Sequence, residues 1–252
     1  MTDSTQRFTS RVQSYAKHRP SYPLAILELL NSECALTPGA VVADVGSGTG
    51  ILSELLLKNG NPVLGVEPNE AMREAAEQLL AGYPTFTSVN GSAEATTLPP
   101  ESVNLVTAGQ AFHWFDARKA RMEFARILKP RGFVALVWND RRLDSTPFLR
   151  AYEDLLMNFG TDYKQVRDFN ETDEIATFFA PGTFTIKTFD NVQQFDFEGL
   201  KGRVFSASYT PEAGHPNFEP MLKRLQELFD RYQERGSVAF EYDTKVYYGH
   251  LV

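Results

Sequence analysis

VVADVGSGTG, residues 41–50, joins an unbroken apolar run to three glycines in alternate positions. An apolar run without alternation is typical of a strand that is buried on both faces of a parallel sheet. Residues 51–60 follow with apolar side chains at helical spacing, and Gly60 is a residue type that commonly ends a helix. This stretch therefore predicts a strand, a tight turn and a helix, the first unit of a doubly wound α/β fold.

Four more short strands are predicted before residue 140, with helices between them. Asn69 and Asp116 are suited to cap two of these helices, because their side chains can accept a hydrogen bond from a free N–H of the first turn. The sequence KPRG, residues 129–132, predicts a sharp turn before the last of the four strands. The predicted strands span residues 62–68, 85–91, 102–109 and 133–139.

The pattern changes beyond residue 140. Residues 161–182 are polar and predict an excursion from the sheet. Residues 184–197 and 238–252 alternate apolar and polar side chains, which predicts two strands at an antiparallel edge. We therefore predict an α/β fold with a doubly wound, mostly parallel seven-stranded sheet, an antiparallel C-terminal edge and a small cap insertion.

Composition narrows the class of protein. Lys and Arg number 25 against 32 Asp and Glu in 252 residues, and a net charge of −7 argues against a general nucleic-acid binder. Cys34 is the one cysteine, so no intrachain disulfide can form, and a reducing cytoplasmic setting is expected. The first residues lack a signal-peptide pattern, and no apolar run reaches the ~20 residues of a membrane helix, so no membrane partner is expected. The four histidines stand far apart, so no metal site is predicted.

The glycine turn has the composition of a nucleotide-binding loop. Residues 44–50 read D-x-G-x-G-x-G, and glycines there let the backbone turn tightly in front of the free N–H groups of a helix. Glu67 ends the next strand, where a carboxylate can accept hydrogen bonds from both hydroxyls of a ribose. Dinucleotide-binding folds share this logic, but their fingerprint requires glycine where this chain has Ile51, and no lysine follows as in a P-loop.

Three further blocks accompany DVGSGTG in order, namely GVEPNEAM, NGSAEATTLP and ARILKPRGFVALV. Together they resemble class I S-adenosylmethionine-dependent methyltransferases, over residues 38–140. The flanking stretches YAKHRPSYP (15–23) and QAFHWFD (110–116) resemble the group that includes trans-aconitate methyltransferase. The resemblance implies a Rossmann-like methyltransferase fold, S-adenosylmethionine as cofactor, a small-molecule acceptor, and a monomer or homodimer.

The resemblance also implies where the cofactor binds. An N-terminal helix would fold over the cofactor, the glycine loop would line its aminoacyl and ribose parts, and Asp44 would orient that loop or meet the amine. Residues after the second and third strands would bind the ribose and the adenine, and those after the fourth would lie beneath the sulfonium. The implied cofactor contacts are Tyr15, Arg19, Asp44, Gly46, Ser47, Gly48, Glu67, Pro68, Met72, Ala93, Glu94, Gln110 and Ala111. The implied single domain, 1–252, comprises lid helices at 1–37, a cofactor-binding core at 38–140, helices, the cap insertion and a strand at 141–236, and a terminal strand at 237–252.

The acceptor is expected beside the fourth strand, because ligands of open α/β sheets bind outside the carboxyl ends of the strands. Phe112, His113 and Trp114 come just past that end, and Arg203 and Tyr209 lie in a turn-rich segment that could line the same site. Three roles are open for His113: it could take a proton from an acceptor hydroxyl, form a wall of the pocket, or only pack.

The leading functional hypothesis is O-methylation of a small molecule, with carboxylates as a candidate acceptor class because Arg203, Arg141 and Arg142 lie near predicted strand ends or the cap. Alternatives are C-methylation of a quinone-like, lipid or sterol acceptor, a catalytically silent cofactor-binding protein, and a nucleotide-dependent oxidoreductase.

Overall fold

The computed structural model of the chain describes residues 19–164, 171–207 and 209–251. Seven strands form one sheet in the order β3-β2-β1-β4-β5-β7-β6. The strands are β1 Val42–Val45, β2 Val63–Val66, β3 Phe86–Val89, β4 Val103–Gly109, β5 Leu128–Arg141, β6 Phe184–Phe195 and β7 Val238–Gly249. The helices described in full are α1 Ala25–Glu33, α2 Ile51–Lys58, α3 Glu70–Leu79, α4 Ala117–Ile127, α5 Pro147–Phe159, α6 Glu171–Phe179, α7 Phe197–Phe205 and α8 Phe218–Tyr232.

The predicted fold class is confirmed. Strands β1 to β5 pair in parallel, and β7 runs antiparallel to both β5 and β6. The strand order reverses between β1 and β4, so the carboxyl ends of these two neighbours border a crevice. The glycine turn follows β1 and the stretch QAFHWFD follows β4, which brings the two sequence motifs to the same edge of the sheet.

Successive residues of β1 face opposite sides of the sheet, which explains the unbroken apolar run. Val42 packs with the apolar side chains of α1 and α2, whereas Ala43 and Val45 pack with those of α4 and α6. The two predicted caps form as expected: Asn69 accepts a hydrogen bond from the Met72 N–H (3.1 Å), and Asp116 accepts one from the Lys119 N–H (3.1 Å).

Two local predictions differ from the structure. Residues 129–132 do not form a separate turn, because they belong to β5 as an irregular start where the pairing with β4 shifts register and Arg131 has a φ of 65°. The polar segment 161–182 is not only an excursion, because it contains α6, whose residues Phe178 and Phe179 lie in the core. A short helix with few apolar residues was not recognised from periodicity, although tertiary burial fixes it.

A third apolar cluster packs against β6 and β7, the two C-terminal strands of the sheet. Its members come from α5, α7, α8 and the inward face of β7, including Tyr152, Phe240 and Tyr242. This cluster holds α7 against the sheet next to the crevice. The packing thereby places a helix of the C-terminal half beside the glycine turn that begins the fold.

Candidate active site

The glycine turn after β1 is shaped for close approach. Gly46, Gly48 and Gly50 all have positive φ angles (68°, 55° and 89°), a conformation that residues with a side chain rarely adopt. A Cβ on Gly46 would lie 2.6 Å from the Ala111 Cβ, whereas a Cβ on Gly48 would meet nothing within 4 Å. The turn therefore packs tightly against the residues after β4 at Gly46 and leaves open space at Gly48.

Asp44 joins three elements below this turn. The Ser53 hydroxyl of α2 donates to its Oδ2 (2.6 Å), and the Thr107 hydroxyl of β4 donates to its Oδ1 (3.1 Å). The side chain is only 1% exposed, and burial raises the pKa of Asp44 to about 6 against the opposing effect of these hydrogen bonds. Of the two roles implied for Asp44, orienting the loop is the one that these contacts support.

Glu67 reaches from the end of β2 to the glycine turn. The Gly48 N–H donates to its Oε2 (3.1 Å), and the Asn69 N–H donates to its Oε1 (2.9 Å). Burial raises the pKa of Glu67, although the two backbone N–H groups and Arg73 act in the opposite direction. Each carboxylate oxygen keeps a further lone pair, so the group can still accept hydrogen bonds from a ligand diol.

The residues expected around adenine lie in two neighbouring segments. Met72 and Ala93 are buried, Pro68 is exposed, and the Arg73 guanidinium donates to the carbonyls of Glu67 and Pro68 (2.9 Å each). Glu94 accepts a hydrogen bond from the Asp116 N–H (2.9 Å), which links this segment to the start of α4.

The end of β4 is held in an unusual backbone conformation. Gln110 has a φ of 54°, and its side-chain amide donates to the Asn139 carbonyl (3.2 Å). Asn139 in turn accepts hydrogen bonds at Oδ1 from the Thr244 hydroxyl (2.5 Å) and the Asn191 amide (3.1 Å). Asn139 of β5 thus connects the residue after β4 through its backbone carbonyl, and β6 and β7 through its side chain.

The segment that precedes α1, residues 19–24, is called the strap below. The Ser21 carbonyl accepts hydrogen bonds from the amides of Asn191 (2.8 Å) and Asn139 (3.4 Å). A Cβ on Gly109 would lie 2.5 Å from the Tyr22 hydroxyl, so glycine at the end of β4 permits the approach of Tyr22. The strap and the glycine turn border a cleft whose lining includes Arg19, Tyr22, Asp44, Gly46, Ser47, Gly48, Gln110, Asn139, Arg203 and Tyr242.

The aromatic stretch after β4 divides into buried and exposed parts. Phe112 is only 2% exposed and packs edge-to-face against Phe178 and Trp138, with ring centroids 5.1 and 6.2 Å away. The predicted place of Phe112 in the acceptor wall is therefore corrected: its ring belongs to the core, because the 3₁₀ turn of residues 112–114 directs it inward. Trp114 is 41% exposed, and its ring lies 4.9 Å from that of His113.

His113 is neutral under ordinary conditions. Part of its side chain is exposed, yet the ring is desolvated by its surroundings, and desolvation together with the positive charge of Arg19 lowers the pKa of His113 to about 4. A neutral imidazole has one nitrogen that can accept a proton, so the base role is chemically open.

The three arginines considered for the acceptor differ in their partners. Arg141 donates to Glu153 (2.5 Å) and to the Tyr163 hydroxyl (2.9 Å), and Arg142 binds Asp190 and Asp243. Arg203 lines the cleft, and within the described ranges no carboxylate lies within ion-pair distance of its guanidinium. Arg203 therefore lines the cleft, whereas Arg141 and Arg142 form ion pairs with carboxylates of the protein.

The remaining predicted residues of the cap lie behind Arg203. The Tyr209 ring packs 5.0 Å from that of Tyr163, and it is not among the residues that line the cleft. The Ser206 hydroxyl donates to the Arg203 carbonyl (2.8 Å) and is fully buried, so it is a helix-end contact. Tyr15 and Ser208 lie outside the described residues.

Sequence reasoning missed several residues of the cleft, among them Tyr22, Asn139 and Tyr242. Tyr22 stands in the quoted stretch YAKHRPSYP, and Asn139 ends the strand predicted at 133–139, where the rule on strand ends could have found it. Tyr242 gave no signal beyond the alternation of β7, because only the sheet order brings β7 next to β5.

Residues 43–136 match a protein-family profile described as "Methyltransferase domain". An uncharacterized methyltransferase of Mycobacterium tuberculosis is 37% identical over 139 residues, covering 55% of this chain and 54% of that protein. One of Schizosaccharomyces pombe is 33% identical over 150 residues, 59% of this chain and 58% of that protein. The match thus spans little more than half the length of these relatives.

Solved structures also resemble the fold of this chain. A candidate type II methyltransferase of Anaeromyxobacter dehalogenans superposes with a TM-score of 0.64 at 21% identity, covering 93% of this chain and 98% of that chain. A methyltransferase of Geobacter sulfurreducens, solved with S-adenosylhomocysteine, gives 0.54 at 18% identity and covers 98% of each chain. No helix in the described parts of the chain is both long and apolar enough to cross a bilayer.

Proposed function

We propose that this protein transfers a methyl group from S-adenosylmethionine to an oxygen atom of a small-molecule acceptor. The observation that carries the proposal is the pairing of the glycine turn with Glu67 in a methyltransferase domain. Gly48 leaves open space next to a carboxylate that its own N–H holds in place (3.1 Å). Gly48 lines the cleft at the point where the strand order reverses, and Glu67 lies beside Gly48 at the end of β2.

The residues present fit the cofactor. Glu67 has lone pairs free for a ribose diol, and the open position at Gly48 permits close approach to the backbone. Arg19 lines the same cleft and carries the charge that a methionine carboxylate needs. Met72 and Ala93 offer buried apolar contacts for adenine on the other side of Glu67.

Bound S-adenosylmethionine supplies a methyl group that is activated by a positively charged sulfur. The protein's contribution is alignment of the acceptor oxygen and exclusion of water. Gln110, fixed by its hydrogen bond to Asn139, forms the floor between the glycine turn and the acceptor side. An acceptor carboxylate needs no base, whereas an aliphatic hydroxyl needs one, and the neutral His113 is the candidate to take that proton.

Polar side chains within the cleft lining favour a polar acceptor. Gln110, Asn139 and Arg203 line it, which weakens the alternative of C-methylation of a quinone-like, lipid or sterol acceptor. The stretches YAKHRPSYP and QAFHWFD support placing the chain in the group that includes trans-aconitate methyltransferase. The carboxylate hypothesis rests on Arg203 alone, since Arg141 and Arg142 are paired. The division into lid, core, cap and terminal strand, the monomeric or homodimeric state, and the cytoplasmic location stay predictions.

The test is an acceptor screen that detects S-adenosylhomocysteine formed from S-adenosylmethionine. Carboxylic acids, phenols and aliphatic alcohols are supplied separately to the full chain, and Glu67→Gln serves as the variant with impaired cofactor binding. We expect turnover with an oxygen acceptor, lowered in the variant. Cofactor binding without turnover on any acceptor would indicate a catalytically silent protein, and binding of NAD in place of S-adenosylmethionine would indicate an oxidoreductase.

A further inference from the structure

Arg203 is a buried cation whose charge the described residues do not neutralise. The residue is 7% exposed, and its Nε and Nη1 atoms are buried without a hydrogen-bond partner. Burying an ionised group is costly unless the group is paired and hydrogen-bonded, and arginine does not escape the cost by losing its proton. A guanidinium left in this state beside a cleft indicates a binding site for an anion.

Arg141 provides an internal comparison. Its side chain is only 10% exposed, so it is nearly as buried as Arg203. The positive charges of both guanidinium groups act to lower the pKa of the same phenol, Tyr152. Arg141 has the carboxylate of Glu153 at 2.5 Å, whereas Arg203 is surrounded by the phenols of Tyr242, Tyr209 and Tyr152. Of these two arginines only Arg141 is paired with a carboxylate of the described residues, which leaves the positive charge of Arg203 for a ligand.

A second unsatisfied group lies in the same place. The buried Tyr242 hydroxyl lies against the Arg203 guanidinium and donates its O–H to none of the described residues, and Tyr242 and Arg203 both line the cleft with Gly46 and Gln110. A phenol O–H can donate to an anion that a guanidinium already holds. Both free donors come from the C-terminal half of the chain, α7 and β7, and meet the cleft opposite the predicted cofactor residues of the N-terminal half.

We propose that Arg203 and Tyr242 form an anion subsite that binds a carboxylate or phosphate group of the methyl acceptor. This rests on the proposed function of the same cleft and names the class of its substrate: a small molecule that carries a fixed negative charge. The methionine carboxylate of the cofactor has the same chemistry, so the experiment must separate the two sources.

The probes are sodium acetate and inorganic phosphate, added at constant ionic strength against sodium chloride, with acetamide as the uncharged counterpart of acetate. The melting temperature of the full chain is followed with and without saturating S-adenosylhomocysteine. The variants are Arg203→Met and, as a matched control, Arg231→Met, which removes an exposed arginine at the end of α8. Titration calorimetry measures the affinity of each protein for S-adenosylhomocysteine.

We expect acetate and phosphate, but not acetamide, to raise the melting temperature of the wild type and of Arg231→Met by mass action. Arg203→Met should lose at least tenfold in apparent affinity for both anions. In chloride alone its melting temperature should equal or exceed that of the wild type, because an unpaired buried charge has been replaced by an apolar side chain. Its affinity for S-adenosylhomocysteine should stay within threefold of the wild-type value.

Four results would overturn the proposal. Equal anion responses of wild type and Arg203→Met would show that Arg203 is not the anion site, as would the lack of any response in the wild type. A lower melting temperature of Arg203→Met in chloride would show a structural cation. A tenfold loss of affinity for S-adenosylhomocysteine, with the anion effect absent from the cofactor-saturated wild type, would assign Arg203 to the cofactor carboxylate. A wild type that binds no S-adenosylhomocysteine would refute the proposed function instead, while the cofactor-free titration would still report on Arg203.

Discussion

Replacing Glu67 by glutamine tests the nucleotide site most directly. The substitution keeps the shape of the side chain but converts one of two accepting oxygens into an NH₂ donor. In the structure both oxygens accept backbone N–H groups, from Gly48 at 3.1 Å and Asn69 at 2.9 Å. An amide cannot accept both of these and two ribose hydroxyls as well, so at least one charge-assisted hydrogen bond to the ligand is lost and the glycine turn is less firmly held.

The magnitude follows from these contacts. A hydrogen bond to a charged group contributes about 1.5–3 kcal/mol, and each 1.4 kcal/mol is tenfold in affinity. We therefore expect Glu67→Gln to weaken binding of S-adenosylhomocysteine roughly 10- to 100-fold. Titration calorimetry at pH 8 measures this change.

The matched control is Glu70→Gln, which removes a carboxylate from the exposed first turn of α3, three residues away. Its affinity should stay within about twofold of the wild type, because a surface charge near a helix start contributes only a few tenths of a kcal/mol. A Glu67→Gln variant that binds as tightly as Glu70→Gln would refute the assignment of Glu67 to the ribose.

The other predictions concern Asp44, His113 and Asn139. Burial raises the pKa of Asp44 to about 6 in the folded state from its ordinary value of 3.8, so its contribution to the free energy of unfolding is present below pH 3.8 and is lost as pH rises through 6. Asp44→Asn should therefore gain about 2 kcal/mol relative to wild type between pH 4.5 and pH 8 in urea unfolding, and parallel stability curves would contradict this. His113→Gln should bind S-adenosylhomocysteine within threefold of wild type. If His113 is the base, the wild-type pH–rate profile should show its inflection near 4 rather than 6.5, and unchanged turnover of His113→Gln would exclude that role. Asn139→Ala removes a hydrogen bond to the Ser21 carbonyl, so amide exchange of the strap should quicken and cofactor affinity should fall severalfold, with an unchanged exchange rate as the contrary result.

Much of the fold was predictable because its signals are local. The apolar run of 41–50, the glycines behind it and the caps at Asn69 and Asp116 act on backbone within a few residues, and each does in the structure what its chemistry requires. The association of Glu67 with the glycine turn was also predictable, since adjacent parallel strands bring their carboxyl ends together.

The sequence by itself thus determined the α/β order, the nucleotide turn and its acidic partner. Only the tertiary structure decided among residues of the same type. Arg141, Arg142 and Arg203 look equivalent in sequence, but carboxylates distant in the chain pair two of them and leave the third facing the cleft. The sequence predicted Phe112 at the cleft, but in the structure it packs in the core against Phe178. Phe178 belongs to a helix that the sequence periodicity did not reveal. The physical reason is that the charge balance and burial of a side chain depend on neighbours supplied by other elements, and these are fixed only when the elements pack.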